Sequence, residues 1–428
     1  MKLELGKIII DDLQFAVETR ISDKTLFINQ EELLELIGED SRIIEINLDI
    51  VHPGEDVRII PVKDVIEPRV KVKGPGGVFP GFISGEEMVG SGRTHVLKGV
   101  AVVTTGKIVG FQEGIIDMNG LGAEYTPFSK FHNLVVDCEV KENIKQHEHE
   151  EILRMVGLKT AAYLGKAAKE IEADEVETYE HKPFLEAAAE YPNLPKVGYI
   201  YMLQSQGLMH DTYVYGVDAK KIIPTLMSPT EIMDGAILSG NCVSACDKNT
   251  TYVHQNNPVI EELYKYHGKK YNFMGVIITN ENVTLADKER SSNFTAKLAE
   301  MLSLDAVIVS EEGFGNPDAD LIMNSKKLAG KEIKTVLITD EYAGRDGASQ
   351  SLADADPSAD AVITAGNANE VIDLPPMEKV IGYQDFADVI AGGFEGSIKE
   401  DGSISVEIQA ITGSTNELGF NNLTSRSY

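Results

Sequence analysis

NFMGVIIT at residues 272–279, DAVIVS at 305–310, KTVLIT at 334–339 and ADAVIT at 359–364 are four compact apolar runs in the last third of the chain. They are β-branched and continuous rather than alternating, the pattern of strands buried on both faces. Helical stretches at residues 291–302 and 318–328 separate several of them. Strand and helix in alternation predict a doubly wound, mainly parallel α/β sheet. Each run leads into a polar loop: NEN at 280–282, EEGFGNPD at 311–318, DEYAGRDG at 340–347 and GNAN at 366–369. Ligands of open α/β sheets bind outside the carboxyl ends of the strands, so these loops form a candidate site. The same Gly, Asn and Asp residues also suit ordinary turns and helix caps, and both readings stand.

Upstream, residues 1–140 hold short β-type runs at 2–10, 57–62, 68–72 and 96–109, broken by turn signals such as GPGG at 74–77. They predict a mostly-β module. From about 148 to 171 the apolar spacing turns helical, and KVGYIYML at 196–203 reads as a strand. The N-terminal part is thus a β-rich module followed by an α/β segment.

The chain has 428 residues, with 39 Lys and Arg against 68 Asp and Glu, a formal charge of −29. That length suits two domains. The acidic balance argues against nucleic-acid and anionic-membrane partners. No apolar run has the length of a membrane span, and MKLELGKIIIDDLQF reads as a first strand rather than a signal peptide. Three cysteines, Cys138, Cys242 and Cys246, make no disulfide framework. A reducing, cytoplasmic setting is expected.

Several motifs fall short of a chemistry. TTGK at 104–107 lacks the rest of a phosphate loop and reads as a hairpin turn. GFGNPD at 313–318 lacks the third glycine of a dinucleotide fingerprint, and no nucleotide is expected. His147, His149 and Glu150 in QHEHEE lie where a helix should begin, where acidic residues favour the dipole without a metal. No metal is expected. His210 beside Asp211 reads as a structural histidine, with an accessory acid/base role as the alternative.

GNCVSACD at 240–247 admits three readings. Its cysteines are packed in a tight turn; or Cys242 and Cys246 form a dithiol at i and i+4 on a helix; or Cys242 processes the chain. In the last case its thiol attacks the Asn241 carbonyl to form a thioester. Loss of the α-proton and β-elimination then release residue 241 and leave dehydroalanine at 242. Tautomerisation and loss of ammonia give a terminal pyruvoyl group. Gly240 supplies backbone freedom for a strained turn. Spacing alone does not choose among the three.

The sequence resembles component B of the glycine, sarcosine and betaine reductases. The resemblance rests on LELGKI (3–8), VIEPRVKVKGPGGVFPG (65–81), TTGKIVGFQEGIIDM (104–118), YTPFSK (125–130) and YMLQSQGLMHDTYVYGVDAKKIIPT (201–225). It continues in GNCVSACDKNTTYVH (240–254), NENVTLADKERSSN (280–293), EEGFGNPDADLIMN (311–324), TDEYAGRDGASQSLADAD (339–356) and AITGSTNELGF (410–420). It implies a proprotein cleaved between Asn241 and Cys242, giving an N-terminal chain 1–241 and a Rossmann-like chain 242–428 with a pyruvoyl terminus from Cys242. The implied reaction is reductive cleavage of the C–N bond of glycine, with sarcosine or betaine as alternatives. The implied partners are a selenocysteine-containing subunit of component B, selenoprotein A, and indirectly component C and a thioredoxin system. A substrate of that kind needs a cation for its carboxylate and acceptors for its ammonium. Arg345 is the candidate cation, able to grip a carboxylate bidentately, unless it pairs with a neighbouring acid. Glu311, Glu312, Asp340 and Glu341 are the candidate acceptors. A non-catalytic docking subunit carrying the Cys242/Cys246 dithiol is the alternative of another class.

Overall fold

The computed structural model describes residues 1–206, 212–240, 248–313, 315–348 and 356–414. The strand Val57–Ile66 anchors the first half, because all ten of its positions are buried. It lies in a six-stranded sheet with Gly114–Asp117, Val100–Thr105, His132–Val140 and Ile43–Val51 in that path. Lys379–Gly382, from late in the chain, joins this sheet parallel to Val57–Ile66, with Ile381 opposite Ile59. A second sheet runs Glu175–Glu180, Lys2–Ile9, Gly92–Lys98, Arg69–Lys73.

The helix Gln146–Lys166 lies against strands of both sheets. The Glu148 side chain accepts the Lys145 N–H at 3.0 Å and so fixes its start two residues before Glu148. It stops at Lys166 rather than 171, because the chain turns back to pair Glu175–Glu180 with Lys2–Ile9. Gly165 permits its close approach: a Cβ there would lie 2.1 Å from the Arg69 carbonyl oxygen.

TTGK is not a hairpin turn. The strand after it, Gly114–Asp117, crosses to the far edge of Val57–Ile66, so a full strand separates it from Val100–Thr105. The intervening loop brings the Glu113 carboxylate to the buried Lys63 ammonium at 2.8 Å.

The second half is built on the doubly wound sheet the apolar runs predict. Its order is Thr225–Met227, Asn272–Asn280, Lys196–Leu203, Ala306–Ser310, Lys334–Glu341, Ala361–Asn367. All neighbours pair in parallel except the short first strand. Asn272–Asn280 is buried at all nine positions. ADAVIT reads as buried on both faces, yet most of Ala361–Asn367 is half-exposed, because it is the edge strand with a single neighbour. Helices Leu285–Met301 and Asp318–Ala329 lie side by side against the sheet.

The sheet draws on both sides of residue 241, since Lys196–Leu203 and Thr225–Met227 precede that position. One apolar cluster continues from Val65 and Val103 through Tyr199 and Leu203 to Ile278 and Ile338, which fuses the two halves. No helix among the described residues is long and apolar enough to cross a membrane.

Candidate functional site

Lys196–Leu203 is the first strand of its sheet in chain order, and the next two parallel strands flank it on opposite sides. Where the winding reverses, the loops after the strands splay apart and leave a crevice. Gln204 and Ser205 follow the central strand, Glu281 follows one neighbour, and Glu311 and Glu312 follow the other. All five are buried.

Glu312 is the hub. Its carboxylate accepts the Gln204 N–H at 2.9 Å, the Thr212 hydroxyl at 3.1 Å and the Asn249 N–H at 3.2 Å. Its own N–H donates to Glu281 at 2.9 Å. Turned as its neighbours demand, the Gln204 amide donates to the Glu312 carbonyl and to Glu281, and accepts from the Lys248 ammonium at 3.3 Å. Burial outweighs these donors and pushes the Glu312 carboxyl up to about 7. It can therefore exchange a proton near neutrality.

His254 stands beside it, fully buried, and burial pushes its imidazole down to about 3, so it is neutral. The Asn249 amide donates to the Tyr201 oxygen at 3.2 Å, and that hydroxyl lies 2.8 Å from His254 Nδ1. With the tyrosine donating to Nδ1, the imidazole proton sits on Nε2, which faces Glu312 Oε1 at 3.5 Å.

The N-terminal sheet reaches the same region through Asp64. Its carboxylate accepts the Thr251 N–H at 2.9 Å and the Thr251 hydroxyl at 2.6 Å. The Thr251 oxygen in turn accepts the Ser239 N–H at 3.0 Å. Residues 239 and 251 are thereby held together, closing the base of the segment between them. Burial also pushes Asp64 up to about 7.

Of the residues singled out in the sequence, Glu311 and Glu312 come together here. Glu311 accepts the Thr339 hydroxyl. Asp340 is buried at the end of the adjacent strand, and Glu341 accepts the Thr364 hydroxyl at 2.7 Å. Arg345 is paired with Glu407 at 2.7 Å and lies 4.1 Å above the Phe394 ring, its side chain half-exposed. Asn241, Cys242, Cys246 and His210 lie outside the described residues. Cys138 is buried, and burial pushes its thiol up to about 12. In QHEHEE, Glu150 turns inward to pair with Arg154 at 2.8 Å, and burial pushes His149 down to about 4.

Sequence reasoning placed Glu281 in the strand-end loop NEN without giving it a role, and missed Asp64, Tyr201, Gln204, Thr251 and His254. Gln204 was reachable by applying the same strand-end rule to KVGYIYML. Asp64 carries no local signal, because Thr251, which it joins to the N-terminal sheet, is 187 residues away.

The winding reversal and the buried carboxylates at its strand ends define an α/β protein with a polar network between its first three parallel strands. The chain belongs to the family of glycine/sarcosine/betaine reductase component B subunits, which matches residues 1–426. It is 67% identical, over the whole of both chains, to glycine reductase complex component B subunits alpha and beta of Acetoanaerobium sticklandii. Identity to the protein of the same name from Peptoclostridium acidaminophilum is 66%, again over both whole chains. To sarcosine reductase complex component B subunit alpha of Peptoclostridium acidaminophilum it is 57%, with the same full coverage. No solved structure matches the chain.

Proposed function

We propose that this chain is the proprotein of two component B subunits of a glycine reductase, split between Asn241 and Cys242, with Cys242 becoming a pyruvoyl terminus. The observation that carries the reading is the anchoring of both flanks of that bond. Ser239 is tied to Thr251 and Thr251 to Asp64, and Asn249 is tied to the strand-end carboxylate Glu312. The fit is chemical as well as positional: carboxyls that titrate near neutrality suit a site where protons leave and return. Two relatives whose full length this chain matches carry the names of two subunits, alpha and beta, which agrees with a split.

A pyruvoyl group supplies an electrophilic carbonyl that draws electrons from an amine nitrogen. The side chains around it would do the rest. Glu312 and Glu281 would accept hydrogen bonds from the ammonium, and His254 with Tyr201 would hold Glu312 in place. Arg345 would have to leave Glu407, a mostly buried carboxylate that also accepts from Asn369 and Gln409, to grip the substrate carboxylate. Glycine is favoured over sarcosine by the higher identity to the glycine relatives. No selenol is encoded here, so the reducing nucleophile would come from a selenocysteine-containing partner subunit, with the carboxymethyl group passing to selenoprotein A.

Intact-mass analysis tests the reading. Two chains are expected, of 241 residues and the remaining 187, the smaller blocked at its amino terminus and reactive with phenylhydrazine. Cys242→Ala should leave one chain. A wild-type protein that stays full-length with free thiols at Cys242 and Cys246 would refute it. Turnover of glycine, sarcosine and betaine by the assembled complex decides the substrate.

A further inference from the structure

Three side chains outside the strand-end network converge at one edge of the N-terminal sheet. His52 follows the strand Ile43–Val51, and His132 opens the antiparallel neighbour His132–Val140. Val51 is opposite Asn133, so the two histidines extend the same cross-strand ladder by one step. Their Nδ1 atoms are 2.9 Å apart, with the ring planes at 75°. Asp12, on the strand Asp12–Ala16, brings Oδ1 to 3.5 Å from His52 Nδ1. All three donor atoms lie within 4.8 Å of one another.

We propose that Asp12, His52 and His132 form a three-ligand site for a zinc-type divalent cation, with its fourth position open to water. Two imidazoles and one carboxylate are an established zinc donor set, at about 2.0–2.2 Å from the metal. Tetrahedral ligands at that distance are about 3.3 Å apart, so the 2.9 and 3.5 Å separations need shifts of a few tenths of an ångström. The Asp12–His132 pair, within 4.8 Å, has to close by about an ångström through a turn of the Asp12 side chain. Without a metal, the close Nδ1 pair can share only a single proton, and protonating both rings sets like charges face to face.

The surroundings hold the ligands ready. The His132 N–H is fixed to the Gly99 carbonyl at 2.9 Å, and Asp12 Oδ1 accepts the Leu13 N–H at 2.9 Å. The imidazole and carboxylate side chains at 34% and 35% exposure leave a path for the ion and its water. A bound cation would pin Asp12–Ala16, which belongs to a separate three-stranded sheet, onto the six-stranded one.

The test is titration of the metal-free full-length protein with Co2+ as a visible probe and Zn2+ as competitor. One equivalent should bind, with the spectrum of nitrogen and oxygen ligands and no thiolate charge-transfer band, and should raise the thermal midpoint. His52→Ala and His132→Ala should each weaken binding at least tenfold. Asp12→Asn, which keeps an oxygen for the Leu13 N–H and gives up only the exposed bond from Gln14, should weaken it while moving the metal-free midpoint little. Absence of saturable one-to-one binding overturns the proposal. So does binding that survives both histidine substitutions, or a spectrum dominated by thiolate.

Discussion

Replacing Thr251 by Val keeps the volume and shape of the side chain and removes its hydroxyl alone. That hydroxyl donates to Asp64 and accepts the Ser239 N–H, and all three residues are buried. The substitution leaves one backbone donor and one carboxyl oxygen short of a partner, each costing about 1–3 kcal/mol, so about 2–4 kcal/mol together after local relaxation. Unfolding entropy of about 2.1 cal/mol/K per residue over 428 residues makes each kcal/mol worth about 1 °C. The thermal midpoint should therefore fall by about 2–4 °C. Loss of this bond removes a donor that lowers the Asp64 pKa, so its carboxyl moves further above 7. Calorimetry and intact-mass analysis of fresh protein check both consequences. Thr251→Val should show the lower midpoint and slower appearance of the 187-residue chain, whereas Thr251→Ser, which keeps the hydroxyl, should stay near wild type. If Val and Ser behave alike, the clamp between residues 239 and 251 does not order this segment.

Glu312 titrates higher in the fold than free, so the proton it keeps stabilises the native state below its ordinary value. That stability is lost as pH rises from about 4.5 towards 7; Glu312→Gln should flatten the midpoint-versus-pH curve there, and an unchanged curve would count against a proton-exchanging Glu312. Arg345→Lys keeps the charge but loses the Nε bond to the mostly buried Glu407 and the contact with Phe394, and should cost about 1–3 kcal/mol. Unchanged turnover in that variant would remove Arg345 from the substrate site. Gly165→Ala drives a Cβ into the Arg69 carbonyl and should lower the midpoint by about 1–3 °C, whereas wild-type behaviour would mean the helix can shift freely. Cys138, with its thiol pushed to about 12, should resist alkylation at pH 8 in the native protein and react after denaturation, as read by peptide mapping.

The order of chemistry along the chain was legible because it is local. The continuous β-branched runs at 272–279, 305–310 and 334–339 became parallel strands, and KVGYIYML matched Lys196–Leu203 end to end. The strand-end rule picked Glu311 and Glu312 without any knowledge of their partners. The family resemblance, carried by motifs along nearly the whole chain, was legible for the same reason.

What the sequence by itself determined is the succession of parallel strands in the last third, the loops at their ends, and the family the chain joins. Local spacing and residue type dictate these. Only the tertiary structure decided that Lys196–Leu203 becomes the central strand of the later sheet, and that Lys379–Gly382 returns to the first. It alone brought Asp64 to Thr251, His254 to Glu312, and His52 to His132 with Asp12. Those meetings depend on how sheets share faces and edges across up to hundreds of residues, and no local pattern encodes which distant surface completes a burial. The carboxyls of Glu312 and Asp64 titrate near 7 for the same reason: the burial that shifts them is a property of the assembled fold.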